Sequence, residues 1–329
     1  MSRAYQHTSV LTEEIIKYLQ PRPGQYFIDA TLGGGGHSSA ILQKIRPKGK
    51  ILALDIDPHA IAASRKRLAA YRKNVVIIHS SYVHLKKIWS KYKDIFPEIS
   101  GIVIDLGISS DQIDRADSGF SFRGEGPLDM RFDPAQQKVN ASDIVLSWSE
   151  AELINVFRKY GEIPQAERLS RGLATWRQAL APQDFFKQKQ KLLKTSVFVS
   201  AILRILHISA SKLKSFRRHP ATLIFQALRL AVNQELENLA AFLPPALEIL
   251  KPGGHLAVIS FHSLEDRIVK DYFRQAATGC ICPPQNPICV CGHKAILKII
   301  NRRVIRPGEE EIRVNPRSRS AKLRVAQKL

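Results

Sequence analysis

A run of four glycines directly after an apolar segment is the feature that most constrains the fold of this chain. Residues 33–36 are glycine and follow the apolar run 26–30, which predicts a β-strand ending in a tight turn. A second apolar run, 51–54, ends in Asp55, 22 residues after Gly33. The order strand, turn, helix, strand, acid is typical of a nucleoside-cofactor site at the carboxyl edge of a parallel sheet. A flexible glycine loop beside a surface aspartate is the simpler alternative.

The strand-like runs repeat in a rhythm that predicts an α/β fold. They fall at 26–30, 51–54, 75–78, 101–105 and 256–260. Helix-length segments separate the first four, which is the alternation of a parallel sheet. Two more β-like segments, near 296–304 and 321–326, predict an antiparallel hairpin that completes a seven-stranded sheet.

Between the fourth and fifth runs the rhythm stops for about 150 residues, opening with a long loop rich in Gly, Asp, Ser and Pro. Helical periodicity falls near 149–160, 165–180, 197–208 and 222–242. Pro244 and Pro245 predict an end or a restart of the last of these helices. We therefore predict a helical insert at 116–218, within a discontinuous domain formed by 1–115 and 219–329.

The net charge of +21 is concentrated in two regions. Residues 151–220 hold 14 Lys and Arg against 4 Asp and Glu, and residues 294–329 hold 11 against 3, so these regions carry +18 of the total. Concentrated positive charge predicts a polyanionic partner, of which nucleic acid is the commonest. Solvated, lysine-rich helix faces are the alternative.

No apolar stretch is long enough to predict a membrane span. The best candidate, 197–208, is interrupted by Arg204. The first twenty residues include Glu13 and Glu14 and lack the pattern of a secretory or organellar leader. We expect a cytoplasmic protein without a membrane partner.

Polar residues follow the predicted strands at their carboxyl ends. They are Asp29, Asp55, Asp105, Ser260 and His262. Because the carboxyl ends of parallel strands meet at one edge of a sheet, we expect these side chains to form one site. A helix cap or a turn acid is the alternative for any single member.

Several segments closely resemble the bacterial RsmH (MraW) family of ribosomal RNA methyltransferases. The strongest runs from Asp105-Leu106-Gly107-Ile108-Ser109 to Gln112 and continues through 118–123 and 126–133. Further matches, in the family's order, are 7–11, 35–38, 219–222 with 225–229, 260–267 and 315–324. The matches span nearly the whole chain, and only the insert, roughly 160–218, diverges.

The resemblance implies a class I S-adenosylmethionine-dependent methyltransferase, Rossmann-like, with a seven-stranded sheet and an inserted helical domain. It implies transfer of a methyl group to the exocyclic amine, N4, of a cytidine in the decoding centre of 16S ribosomal RNA. The expected partner is that RNA or the small ribosomal subunit, and the insert is the expected RNA-recognition domain. Whether the protein forms a homodimer is left open.

Carried over from the family, the contacts to S-adenosylmethionine fall on Gly35, Gly36, His37, Asp55, Tyr82, Asp105 and Gln112. Tyr82 offers an aromatic face for adenine, and Asp105 can accept hydrogen bonds from an amine of the cofactor. No metal ligand is assigned to this site.

For catalysis we select Asp105, Ser109 and His262, which would hold the target base or receive the proton that its amine loses. A histidine that caps the next helix is the alternative for His262. Three loop residues, Phe120, Phe122 and Phe132, are candidates to stack on a base that has left its helix, or else are core anchors of the loop.

All four cysteines, Cys280, Cys282, Cys289 and Cys291, fall within twelve residues. In a reducing compartment, thiols this close favour a tetrahedral metal site or a redox-labile patch over disulfides. The C-x-C spacing is tighter than the usual C-x₂-C, and the resemblance does not decide between these possibilities.

Two other functions fit parts of the sequence. A nicotinamide oxidoreductase also uses a glycine turn and a ribose carboxylate, but it has no need of concentrated positive charge. A non-catalytic RNA-binding or assembly protein on a methyltransferase fold would keep the charge without the reaction. Preference for a dinucleotide would indicate the former, and binding of S-adenosylmethionine without methyl transfer the latter.

Overall fold

The computed structural model describes residues 9–122, 124–180, 193–216, 218–280, 282–283, 285, 288 and 290–329. Some predictions fall outside these residues: the N-terminal match at 7–8, Arg123 in the loop match, residues 181–192 of the predicted insert, and Cys289.

The chain folds into two compact units, Met1–Gly107 with Leu236–Leu329, and Ile108–Glu235. The predicted insert, 116–218, lies inside the second unit, which begins directly after the fourth strand and its turn. It also includes the helix Ala221–Asn233, which packs against Glu150–Gly161.

A seven-stranded sheet forms the centre of the first unit, as predicted. Its strands are β1 (Tyr26–Asp29), β2 (Lys50–Asp55), β3 (Val75–His79), β4 (Ile99–Asp105), β5 (Leu250–Ser260), β6 (Leu297–Ile299) and β7 (Lys322–Lys328). The spatial order is β3-β2-β1-β4-β5-β7-β6. β1 to β5 pair in parallel, while β7 runs antiparallel to both β5 and β6.

The strands are apolar because both faces of the sheet are covered. Alternate residues face opposite sides: Ile28 and Leu52 belong to one buried cluster, and their neighbours Phe27 and Ile51 belong to another. Parallel pairing brings the ends of β1, β2 and β4 to one edge, which is where the strand order reverses between β1 and β4.

Helices of the first unit connect these strands. They are Thr12–Leu19, Gly36–Ile45, Pro58–Arg67, Leu85–Lys91, Glu235–Ile249, Ser263–Ala277 and Glu309–Val314, with 3₁₀ turns Ala69–Tyr71, Tyr82–His84 and Pro316–Ser320. The predicted break at Pro244 and Pro245 is wrong, since both lie inside Glu235–Ile249. The chain breaks instead at Gln234, which takes a left-handed conformation with φ 50. Buried Leu243 and Ala246 on either side of the prolines keep the helix packed, which offsets the missing amides.

The second unit is helical and has its own core. Its helices are Ser110–Asp114, Ala141–Ser147, Glu150–Gly161, Ala166–Ala179, Thr195–Ile205, Ala210–Leu213 and Ala221–Asn233. Leu128, Phe157 and Phe198 are among the buried residues of one apolar cluster within this unit. The predicted helices near 149–160, 165–180 and 197–208 are therefore present, with ends shifted by a few residues.

Across the described part of the chain, every helix is too short or too polar to span a lipid bilayer.

Candidate active site

The glycine turn and Asp55 are joined directly by hydrogen bonds. The amide of Gly33 donates to Oδ2 of Asp55 at 2.6 Å, and the amide of Asp57 donates to Oδ1 at 2.8 Å. Burial raises the pKa of Asp55 to about 6, although these backbone donors oppose the increase. A carboxylate offers about four lone-pair positions, so Asp55 can accept further hydrogen bonds from a ribose.

The turn requires glycine for two different reasons. Gly33 and Gly35 have φ values of 49 and 74, in the left-handed region that glycine adopts without strain. At Gly36, a Cβ atom would collide with the side chain of Ser9. Gly36 therefore makes room for a neighbouring segment of the protein.

Asp29, at the end of β1, is a buried carboxyl group that holds the start of the next helix. The hydroxyl of Ser38 donates a 2.6 Å hydrogen bond to Oδ2, and only 1% of Asp29 is exposed. Burial raises the pKa of Asp29 to about 7, while the Ser38 hydrogen bond and the nearby His37 act in the opposite direction. Asp29 thus links β1 to the helix Gly36–Ile45.

His37 and Asp105 form a buried pair at the same edge. Nε2 of His37 lies 3.5 Å from Oδ2 of Asp105, with the side chains 4% and 11% exposed. Burial alone would lower the pKa of His37. The nearby carboxylates of Asp105, Asp29 and Glu311 have a larger opposite effect, so the pKa is raised. Among the described residues, Nδ1 of His37 and Oδ1 of Asp105 have no hydrogen-bond partner. Such buried atoms cost about 1–3 kcal/mol each when unpaired, so this arrangement fits a polar ligand.

Two residues that the sequence analysis missed hold this edge together. The hydroxyl of Thr31 accepts a 2.6 Å hydrogen bond from the amide of Asp105, which ties β1 to the end of β4. Arg67 donates a 3.0 Å hydrogen bond to the carbonyl oxygen of Gly34 in the turn. The position of Thr31, just after the first strand, could have indicated its role from the sequence. Arg67 lies 33 residues from Gly34, so its contact leaves no local sequence pattern.

Tyr82 lies in the 3₁₀ turn after β3, as the prediction requires. Its ring packs edge-on against Phe242, with the centroids 5.4 Å apart and the planes at 77°. This contact orients the ring that we expect beside the adenine.

His262 follows β5 and caps the helix Ser263–Ala277. The amide of Glu265 donates to Nδ1 of His262 at 3.4 Å, and Nε2 lies 3.0 Å from Oε1 of Glu265. The buried Glu265 carboxylate also accepts a 2.8 Å hydrogen bond from the amide of Phe261. The capping alternative for His262 is therefore realised, and its catalytic role stays a prediction.

Ser109 and Gln112 belong to the second unit, where they start the helix Ser110–Asp114. The amide of Gln112 donates to Oγ of Ser109 at 3.1 Å, and the amide of Ser109 donates to Oε1 of Gln112 at 2.9 Å. This reciprocal capping pair fixes both side chains. Their predicted roles toward base and cofactor stay predictions.

The long loop of the second unit is anchored by its aromatic residues. Phe120 stacks on Phe132 with centroids 5.6 Å apart, and Phe122 stacks on His219 at 4.7 Å. All three phenylalanines belong to or pack against the core of this unit, as the core-anchor alternative states. Asn233, which the sequence analysis missed, donates to the carbonyl of Met130 at 2.8 Å and accepts from the amide of Phe132 at 3.1 Å.

The strand order, the antiparallel β7 and the bond between the glycine turn and the acid of β2 together define the class of protein. It is an α/β, Rossmann-like S-adenosylmethionine-dependent methyltransferase of class I.

Comparison with known proteins identifies the family. The model of the MraW methylase family matches residues 4–329. The chain is 46% identical over 325 residues to a protein of Dehalococcoides mccartyi, covering 99% of this chain and 87% of that protein. It is 45% identical to one of Thermomicrobium roseum (98% and 94% covered) and 44% identical to one of Heliobacterium mobile (99% of each). All three carry the name ribosomal RNA small subunit methyltransferase H. The chain belongs to the MraW methylase family.

Proposed function

We propose that this protein methylates N4 of a cytidine in the decoding centre of 16S ribosomal RNA, with S-adenosylmethionine as the methyl donor. The buried pair of His37 and Asp105 carries this proposal, because one atom of each is left without a partner among the described residues. A cofactor with both an ammonium and a carboxylate group matches such a pair, since Asp105 can accept hydrogen bonds and a histidine nitrogen can donate one.

The residues around this pair fit the rest of the cofactor. Asp55 would hold the ribose hydroxyls, and Tyr82 would lie beside the adenine. Gly35 and Gly36, which the family resemblance assigns to the cofactor, belong to the turn, with Gly35 in the left-handed region. Gln112, in the second unit, completes the set that the family resemblance assigns. When bound, S-adenosylmethionine supplies an electrophilic methyl group.

The protein's task in catalysis is to position the cytosine amine and to receive a proton from it. The lone pair of that amine is partly delocalised into the ring, so hydrogen-bond acceptors that hold the amine favour its attack. We assign this task to Asp105, Ser109 and His262. These residues would hold the base or receive the proton that its amine loses.

The insert 116–218, which lies inside the second unit, is the proposed RNA-recognition domain. Exposed basic residues follow its helices, among them Lys212, Lys214 and Arg218, and such side chains bind phosphates without reading sequence. The proposed substrate is 16S ribosomal RNA, either naked or in the small subunit, and the bacterial cytoplasm is the proposed place of reaction. A homodimer would be detected by sedimentation of the same preparation.

Methylation of isolated subunits tests the proposal. Small subunits from a strain that lacks this modification are incubated with the protein and labelled S-adenosylmethionine, and the modified nucleotide is mapped by mass spectrometry of RNA fragments. We expect one labelled cytidine, and no label with subunits from a strain that already carries the modification. Naked 16S RNA, run in parallel, identifies the substrate form.

Three outcomes would contradict the proposal. Binding of S-adenosylmethionine without transfer would indicate a non-catalytic RNA-binding protein. Preference for a nicotinamide dinucleotide would indicate an oxidoreductase. Label at a carbon atom or at a ribose would place the reaction elsewhere on the nucleotide.

A further inference from the structure

Three cysteine sulfurs converge in the segment between the helix Ser263–Ala277 and β6. The Sγ atoms of Cys280, Cys282 and Cys291 all lie within 4.8 Å of one another. The Sγ atoms of Cys280 and Cys291 are 3.8 Å apart. A disulfide needs about 2.05 Å between its sulfurs, so Cys280 and Cys291 are not cross-linked to each other.

One of the sulfur–sulfur distances matches that between thiolates on a single tetrahedral ion. Zinc–sulfur bonds of about 2.3 Å at tetrahedral angles place neighbouring sulfurs about 3.8 Å apart. The separation between Cys280 and Cys291 equals this value. Thiolate ligands select soft or borderline metals, of which zinc is the one that prefers tetrahedral sulfur sites without redox chemistry.

Backbone amides point at each of the three sulfurs. Sγ of Cys280 accepts from the amide of Cys282 at 3.4 Å, and Sγ of Cys282 accepts from the amide of Val290, also at 3.4 Å. Sγ of Cys291 accepts from the amide of His293 at 3.5 Å. Hydrogen bonds of this kind favour the charged thiolate, which is the form that binds a metal.

The end of the segment is tied to the folded unit. The imidazole Nε2 of His293 lies 3.1 Å from the carbonyl oxygen of Gln275, and the amide of Ile296 donates a 2.9 Å hydrogen bond to the carbonyl of Ala276. These contacts hold the segment against the end of the helix Ser263–Ala277. Cys280 and Cys291 are exposed, so their sulfurs are accessible to an incoming ion.

We propose that Cys280, Cys282 and Cys291 bind a zinc ion as thiolates, with a fourth ligand from outside this set. Binding releases the thiol protons to solvent, and no electron transfer is involved. The ion closes the segment between the helix and β6 and has no part in methyl transfer, so the proposal stands apart from the proposed function.

The test uses the full chain, purified under reducing conditions without chelator and freed of any affinity tag. Elemental analysis should find one zinc ion per chain, and a mercurial reagent that titrates thiols should release it. Exchange for cobalt should give the thiolate-to-cobalt charge-transfer bands and the visible bands of tetrahedral cobalt. Neither readout depends on catalysis.

Serine variants connect the ion to these residues. Cys280→Ser, Cys282→Ser and Cys291→Ser should each lose most of the bound zinc. Val290→Ser is the matched control, because it introduces serine into the same segment at a side chain that is 77% exposed and keeps the amide that points at Cys282. It should retain the ion.

Two results would overturn the proposal. One is reduced wild-type protein that stays free of metal after dialysis against zinc, with its thiols fully reactive. The other is bound zinc that survives all three cysteine substitutions. If the variants fail to fold, the metal content and thiol reactivity of the wild-type chain still decide.

Discussion

The amide of Gly33 donates a 2.6 Å hydrogen bond to the carboxylate of Asp55, so the turn after β1 is joined directly to the acid that ends β2. This bond orients the carboxylate before any ligand arrives. The same carboxylate also accepts from the amide of Asp57. A change at Asp55 should therefore affect both the ribose contact and the turn.

Removing the Asp55 carboxylate should weaken cofactor binding. We expect Asp55→Ala to cost on the order of 1.5–3 kcal/mol of binding free energy for S-adenosylmethionine, because hydrogen bonds to a charged acceptor are lost. Isothermal calorimetry measures the affinity. Asp94→Ala, at an exposed aspartate of the same unit, is the control and should bind normally. Equal affinity of Asp55→Ala and wild type would remove Asp55 from the site.

Cofactor affinity should fall in acid. The pKa of Asp55 is raised to about 6, and the ionised carboxylate is the form that accepts ribose hydrogen bonds. Affinity should therefore be constant well above pH 6 and decrease as the pH falls through that value, by up to about tenfold per pH unit. Calorimetry between pH 5 and 8 measures the profile. Asp55→Ala should lose this component, and an unchanged profile in that variant would assign the titration to another group.

Neutralising Asp29 should stabilise the protein at alkaline pH. The pKa of Asp29 in the folded state is raised from 3.8 to about 7, so the folded state binds this proton more tightly than the unfolded state. The charged form thus costs stability, and this cost grows between about pH 4 and 7 and is constant above. The free energy of unfolding of Asp29→Asn minus that of wild type should be larger at pH 8 than at pH 5, by on the order of 2–3 kcal/mol. Urea denaturation at both pH values measures this, and an equal difference at both would refute it.

Variants at His262 separate capping from catalysis. His262→Ala should lower the free energy of unfolding by about 1 kcal/mol, because the helix Ser263–Ala277 loses its cap. His262→Ser, which can still cap, should recover most of this loss. If His262 receives the proton, turnover of the serine variant should nevertheless fall by about 10²-fold or more. Turnover close to wild type in a stable His262→Ser protein would leave the residue with a structural role only.

Basic residues of the second unit should govern RNA affinity. We expect the triple variant of Lys212, Lys214 and Arg218 to alanine to bind ribosomal RNA more weakly and to reduce the slope of log affinity against log salt, by about 0.7–0.9 per lost phosphate contact. Affinity for S-adenosylmethionine should not change. The control replaces Lys87, Lys91 and Lys93, exposed lysines of the first unit. Equal salt slopes for both triple variants would exclude this surface from the RNA contact.

Local sequence patterns were sufficient to predict the strands of the sheet and the glycine turn. The apolar runs that became β1 to β5, the glycine turn and Asp55 at the end of β2 were all predicted, because strand burial and turn chemistry act over a few neighbouring residues. The prediction at Pro244 and Pro245 was wrong because packing of their buried neighbours outweighed a local preference.

Contacts between distant segments could not be read in the same way. Glu311 accepts a 2.8 Å hydrogen bond from the amide of Leu11, 300 residues earlier, and contributes to the raised pKa of His37. The residues next to Leu11 and Glu311 in the sequence give no indication of this contact. The role of the loop phenylalanines as core anchors was equally decided by packing.

The sequence by itself determined the fold class, the family and the positions of the polar strand ends, since these depend on periodicity and on motifs of adjacent residues. Only the tertiary structure decided which of those side chains are paired: Asp29 with Ser38, Asp105 with His37, and His262 with Glu265. The same holds for the three sulfurs of the cysteine cluster. The reason is physical, because burial and hydrogen bonding depend on distances in space that the order of residues along the chain does not specify.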